Sequence, residues 1–238
     1  SLQLLIWSGS AAPRDLLVQL RTLCPHLSTS YGQTECGAEV LYVPVDADEE
    51  ILATSVGTPP DNMQVRLANG ENQPVAPGET GEIQVKSPTV MLGYWQRPEA
   101  TKEAFTDDGW LHTGDLAKQD EQGNYRIVGR LKEMYKSGGY NIYPREIEIQ
   151  LERHPAVAIA AVVSVPDPLF SEVGHAFVLL EDQQTISEQD LKDFCHDKLA
   201  NYKVPKKITV SDQLPMLPIG KVDKVKLKKR AIKQAERK

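Results

Sequence analysis

The sequence predicts a mixed α/β and α+β architecture in two parts, and three observations carry it. An apolar strand pattern, a helix opened by proline and a glycine-bearing loop follow one another within residues 1–50. Short strands between turns dense in Gly, Pro, Asn and Asp fill 51–130. Helix and strand patterns with their own caps then alternate through 131–238, enough chain for a domain of its own.

Taken in order, residues 2–7 read as a buried strand. Pro13 opens a helix with Leu16, Leu17 and Leu20 on one face. STSYGQTECG, residues 28–37, follows as a loop, and this strand–helix–loop order is a βαβ-type element that places the loop where α/β proteins bind ligands. Between 51 and 130, strands are expected at 64–67, 81–86 and 125–128, in a small all-β unit such as a distorted barrel, with GWLHTGDLA, 109–117, as a loop. After residue 130, PREIEIQLE is a short helix, AVAIAAVVSV and HAFVLLE are strands, and KKITVSD is a last strand. SEQDLKDFCHDKLA is a helix with Ser187 and Asp190 in capping-box positions and with Leu191, Phe194, Cys195 and Leu199 facing inward. A basic helix from Lys224 closes the chain.

Composition excludes several function classes. About 40% hydrophobic and 25% charged residues suit a soluble globular protein. A net charge of −6 gives no global attraction to nucleic acid or acidic membranes, and the longest apolar runs are too short to span a bilayer. Cys24, Cys36 and Cys195 have no metal-ligand spacing, and an odd count favours a reducing compartment, hence a cytoplasmic location. A chain that begins in mid-strand is expected to be a fragment.

Five stretches could carry chemistry. Small residues in SGSAAP, 8–13, let backbone N–H groups approach a bound group. In YGQTECG, Tyr31 offers a stacking face, Thr34 a phosphate donor and Glu35 a ligand for a hard cation. A plain polar loop has the same composition, so either reading stands. There is no GxxxxGK[ST] and no GxGxxG motif. Asp115 could grip both hydroxyls of a ribose, although a lone Asp after Gly is commonly a turn former. Lys221 sits on a loop fixed by Pro215, Pro218 and Gly220, where it suits charge growing on a phosphoryl oxygen. Most of the Lys and Arg residues beyond it read as a solvated face that could brush a polyphosphate. In GRLKEMYKSGG, 129–139, Arg130, Lys132 and Lys136 are either an ordinary charged helix surface or cations with separate tasks at a domain boundary.

In this order and spacing, SGSAAP, YGQTE, GYWQRPEAT, GWLHTGD, GRLKEMYKSGGYNIYPREIE and PIGK resemble the adenylate-forming enzymes: acyl-CoA synthetases, firefly-luciferase-like ligases and peptide-synthetase adenylation domains. The resemblance covers essentially the whole chain. It implies that 1–130 is the C-terminal part of the large AMP-binding domain, and 131–238 the small mobile domain, with a hinge near 130–132. ATP and Mg²⁺ would activate a carboxylic acid as acyl-AMP, and a thiol would then displace AMP. By position, Gly9, Ser10, Ala11, Ala12 and Pro13 would contact adenine, with Tyr31 and Gly32 beside it. Thr34 would bind the α-phosphate, Glu35 the Mg²⁺, and Asp115 the ribose hydroxyls. Arg130 would reach the ribose or phosphate. Lys132 would be the pivot, Lys221 would bridge carboxylate and α-phosphate, and Lys136 with Gly138 and Gly139 would face the thiol step. The aromatic-Pro pair in YKSGGYNIYPREIE points to CoA as the thiol, whereas the GKVDK terminus is also found in carrier-loading members. A non-catalytic nucleotide-binding module is the alternative of another class. The family's phosphate loop, expected upstream of SLQLL, does not occur in this sequence, so the chain alone is expected to be inactive.

Overall fold

The computed structural model describes residues 2–9, 12–218 and 220–235. They form two compact units, Ser1–Leu131 and Lys132–Lys238, each with its own core.

The first unit opens with β1 (Leu4–Ser8), α1 (Arg14–Leu23) and β2 (His26–Gln33). β1 and β2 pair in parallel, which makes the expected βαβ crossover, and β3 (Ala38–Tyr42) adds antiparallel to β2. Three readings need correction here. β1 is not buried on both faces: it is an edge strand, with Leu5 and Trp7 packed on the Leu17–Leu27 core while Leu4 and Ile6 face out. Leu16 also faces out, and Leu17 and Leu20 carry the packed side of α1. The supposed loop 28–37 is mostly strand β2, followed by a 3-10 turn, Thr34–Cys36. Two of its buried hydroxyls find backbone acceptors on neighbouring segments: Ser28 Oγ donates to Val43 O at 2.6 Å and Thr29 Oγ1 to Trp7 O at 3.2 Å. Polar letters therefore conceal a central strand, because the Ser28 and Thr29 hydroxyls have backbone acceptors.

Residues 51–130 contain more than strands. α2 (Glu49–Thr54) is capped by the Asp48 carboxylate, and α3 (Pro98–Glu103) has proline in its first turn. β4 (Gln64–Ala68), β5 (Gly81–Lys86), β6 (Leu111–Gln119) and β7 (Tyr125–Arg130) form an antiparallel sheet in the order β4-β5-β6-β7. The expected barrel takes the form of this open sheet, with Val56 and Gly57 bonded to Tyr125 beside it. GWLHTGDLA is corrected from loop to strand: its latter part lies in β6, kept irregular by two register shifts and a left-handed Gly114. Val40 and Leu41 of β3 share one core with Leu67, Ile83, Val85 and Leu111 of the sheet, which fixes β2–β3 beside β6.

In the second unit, a 3-10 turn, Leu131–Glu133, leads into the hairpin β8 (Tyr135–Ser137) and β9 (Tyr140–Ile142). α4 (Pro144–Glu152), β10 (Val157–Asp167), β11 (Ser171–Leu180), α5 (Glu188–His196), β12 (Lys207–Val210) and α6 (Lys224–Ala235) complete it. The sheet runs β10-β11-β8-β9, with β12 on β11. One face packs on α4 and α5 through Ile147, Leu151, Leu191 and Cys195, the other on α6 through Leu227 and Ala231. α5 carries the expected capping box, with Ser187 and Asp190 satisfying each other's backbone N–H. Lys132 and Lys136 do not share a helix surface: one is in the 3-10 turn and the other on β8. Among the described residues no helix is long and apolar enough to cross a membrane.

Candidate active site

Asp115 is the most firmly held of the expected site residues in the first unit. It is 6% exposed, on β6 directly opposite Arg130 at the end of β7. As a cross-strand pair the two meet at 2.9 Å, Arg130 Nε to Asp115 Oδ1. The second oxygen, Oδ2, accepts from the Tyr31 hydroxyl at 2.8 Å. Burial, and then the neighbouring Asp115 carboxylate, push the Tyr31 hydroxyl well above its ordinary pKa, so it stays a donor. A carboxylate offers roughly four lone-pair directions. With one taken on each oxygen, Asp115 keeps a free acceptor direction on each for a vicinal diol.

The 3-10 turn Thr34–Cys36 lies next along β2. Thr34 is exposed and Glu35 half-buried. Segment 89–94 clamps the turn: Met91 N donates to Glu35 O at 2.8 Å, Thr89 Oγ1 to Cys36 O at 2.8 Å, and Tyr94 OH to Glu35 Oε1 at 3.0 Å. Gly37 permits this approach, since a Cβ there would lie 2.1 Å from Thr89 O. Gly32 has a similar reason, with β3 backbone 2.5 Å from its would-be Cβ. At the end of β1, Gly9 is left-handed at φ 86°, and Pro13 stands at the start of α1, its carbonyl accepting from Leu17 N. Ser10 and Ala11 of the expected adenine loop lie outside the described residues; Ala12 is half-buried.

The remaining expected residues belong to the second unit. Lys132 and Lys136 are exposed. Gly138 and Gly139 make a two-residue turn between paired Ser137 and Tyr140, with φ of 56° and 87°. Two positive φ values in succession require such residues whatever binds nearby. Lys221 is exposed on a hairpin closed by Leu217 N to Lys221 O at 2.7 Å and Asp223 N to Pro215 O at 2.7 Å, with Gly220 left-handed. Ile219 lies outside the described residues. Lys221 has no ion-pair partner among the described residues.

Lys226, Lys228, Lys229, Arg230 and Lys233 are exposed, as expected of a mostly solvated face, whereas Lys224, three residues beyond Lys221, stands apart from that face. It sits 2.5 Å from Glu133 Oε2 and 2.7 Å from Glu148 Oε1, and Glu148 is 4% exposed in its side chain. Burial works against its charge, but Glu148 and Glu133 outweigh it and hold the ammonium above the ordinary lysine value. Lys226 and Lys228 pair with Asp223 and Glu172. Arg237 and Lys238 lie outside the described residues.

The structure thus brings Tyr31, Asp115 and Arg130 into contact, sets Thr34 and Glu35 on the adjoining turn, and carries Lys136 and Lys221 on separate hairpins. Tyr94 was not singled out in the sequence, although GYWQRPEAT contains it; its partner is 59 residues away. Burial pushes the Cys36 and Cys195 thiols up to about 11, so neither is a ready nucleophile.

Two family models match: AMP-binding enzyme over residues 1–95, and AMP-binding enzyme C-terminal domain over 146–221. Feruloyl-CoA synthase from an Amycolatopsis species is 42% identical over 97% of this chain and 46% of its own length. A long-chain-fatty-acid–CoA ligase of Escherichia coli is 43% identical over 83% of this chain and 34% of its own. The chain therefore spans about half or less of the length of these relatives. Among solved structures, o-succinylbenzoate CoA synthetase from Bacillus subtilis with the acyl-adenylate intermediate OSB-AMP superposes with a TM-score of 0.85 at 36% identity, over 94% of this chain and 46% of that one. ATP-bound MatB from Rhodopseudomonas palustris gives 0.86 at 34%, over 95% and 45%.

Proposed function

The chain belongs to the AMP-binding enzyme family, and from that premise we propose that it forms part of an ATP-dependent acid–CoA ligase. The observation that carries the reading is Asp115: buried, oriented on both oxygens, and still able to accept from both hydroxyls of a ribose. In the first step the substrate carboxylate attacks the α-phosphorus of ATP; a P–O bond forms, and pyrophosphate leaves with the electrons of the bond that breaks. In the second, a thiol sulfur attacks the acyl carbon, AMP departs on its oxygen, and the thiol proton passes to solvent.

Each step builds negative charge on oxygen, so placed cations and donors matter more than a general base. Lys221 meets the carboxylate and α-phosphate oxygens in the first step. Lys136 and the Gly138–Gly139 turn serve the second, and Lys132 is the pivot between the two arrangements. Thr34 donates to the α-phosphate. Gly9, Ala12 and Pro13 line the adenine with Tyr31, and Arg130 reaches the ribose or phosphate from its place on Asp115. The half-buried Glu35 carboxylate, one oxygen of which accepts from Tyr94, fits a Mg²⁺ that would take a single carboxylate from the protein. Glu35 would be its protein ligand, and the ion would neutralise phosphate charge. A cytoplasmic location accords with the three free cysteines.

The names of the relatives support CoA as acceptor over a carrier-protein phosphopantetheine. The test is acid-dependent ATP–pyrophosphate exchange by the protein at its full genetic length, followed by AMP release with CoA or with a loaded carrier. Exchange plus CoA-driven release is expected. Release with the carrier alone would move the assignment to a loading enzyme, and no exchange with any acid would favour a non-catalytic module. The 238-residue chain by itself is expected to show no exchange.

A further inference from the structure

Asp115 stands where a regular sheet would not put it, and the cause lies in two neighbours with no assigned role. Between the paired positions Glu82↔Leu116 and Gln84↔His112, β5 contributes one residue, Ile83, whereas β6 contributes Thr113, Gly114 and Asp115. Two extra residues make a bulge larger than the common single-residue kind, and bulges leave ladder groups without partners. A second shift follows between Leu116 and Ala117 against β7. Gly114 turns the chain at φ 70°, a conformation that a side chain would strain.

The Glu82 carboxylate closes this bulge. It is 7% exposed; its Oε1 accepts from Gly114 N at 2.9 Å, and its Oε2 meets His112 Nδ1 at 2.6 Å. A carboxylate oxygen only accepts, so Nδ1 carries the proton. One side chain thus grips β6 on both sides of Thr113. Thr113 adds an inner brace, with Oγ1 donating to Ile83 O at 2.7 Å and accepting from Asp115 N at 3.1 Å. The last of these contacts falls on the backbone of Asp115 itself.

We infer that Glu82, through His112 and Gly114, is a positioning residue for Asp115, and so sets how well the enzyme recognises the ribose of its nucleotide. The inference rests on Asp115 as the ribose grip. Without the Glu82 carboxylate, the Gly114 N–H loses its acceptor and the bulge is free to flatten, which would turn Asp115 off its aim at a diol. The phosphate contacts proposed for Thr34 and Lys221 lie on other elements and would be kept.

That separation gives a readout that general damage would not move: preference for ATP over 2′,3′-dideoxy-ATP in acid-dependent pyrophosphate exchange by the protein at its full genetic length. Two hydrogen bonds to a carboxylate should give the wild type a preference of about 100-fold. Glu82→Ala is expected to cut that preference to about 10-fold or less by slowing ATP use, with kcat/KM for the dideoxy nucleotide within about twofold of wild type. Equal losses on both nucleotides, or an intact preference, would overturn the inference. A wild type without any preference would instead sink the ribose assignment of Asp115 and the inference with it. Should Glu82→Ala not fold, the isosteric Glu82→Gln carries the same test. It keeps an acceptor for Gly114 but sets an amide against His112, and an intermediate preference is expected.

Discussion

Asp115 and Lys221 are both charged groups assigned to the nucleotide, yet they are held in opposite ways. Asp115 is buried, with both oxygens engaged by Arg130 and Tyr31 and its strand braced by Glu82. Lys221 is exposed, fixed through the backbone of its hairpin while its side chain is left unpaired among the described residues. The contrast follows from what each must do. A group that recognises an unchanging ribose gains from being fixed in advance, because ordering it at each binding event costs free energy. A group that meets charge only as it develops gains from having no competing carboxylate. Lys224 supplies the control: three residues from Lys221, it is the same side chain turned into structure by Glu133 and Glu148.

The largest effect should come from Asp115→Ala, which removes the diol acceptor and leaves the Arg130 guanidinium and Tyr31 hydroxyl without their shared partner. Its kcat/KM for ATP should fall by about 10² or more, from two charge-assisted bonds together. A fall of less than about tenfold in exchange kinetics would break the contrast at its first term. Lys224→Met tests the control on stability. It uncovers the buried Glu148, and urea unfolding should lose about 3 kcal/mol, against about 0.5 kcal/mol or less for Lys221→Met. Because the folded-state pKa of Lys224 is raised, its contribution is complete below the ordinary lysine value of about 10.4 and is lost as pH rises through the folded value. The gap between wild type and Lys224→Met should therefore narrow only in strong alkali.

Smaller changes sharpen the picture. Tyr31→Phe removes one donor from Asp115 and should raise the KM for ATP about tenfold with little change in kcat. Tyr94→Phe removes the hydroxyl on Glu35; about a threefold rise in the Mg²⁺ concentration needed for half-maximal exchange is expected. No change in Mg²⁺ dependence would place Glu35 outside the metal's reach.

Much of the second unit was legible because its signals are local. The capping box of α5 and the apolar runs of β10 and β11 are read within one element, and each fell where its pattern pointed. The misreadings share a physical cause, in that the deciding partner lies far along the chain. β2 looked like a loop because its Ser and Thr hydroxyls find acceptors on β1 and the segment after β3. β6 looked like a loop because Gly114 and a bulge break the two-residue alternation that marks a strand. Lys224 looked solvated because Glu133 stands 91 residues away. Motif order could point to Asp115, Glu35 and Lys221, but it held no sign that Glu82, His112 or Tyr94 stand behind them; a Glu within the alternation of GEIQV was the faint signal available.

The division of labour between the two hairpin lysines is the central claim, and it is measured most directly by running the half-reactions apart on Lys221→Ala and Lys136→Ala in the protein at its full genetic length. Pyrophosphate exchange reads adenylation, and CoA thioester formation from preformed acyl-AMP reads the second step. Lys221→Ala should lose about 10² or more in exchange yet convert acyl-AMP at close to the wild-type rate, with Lys136→Ala showing the reverse. Equal losses by both variants in both half-reactions would contradict the account.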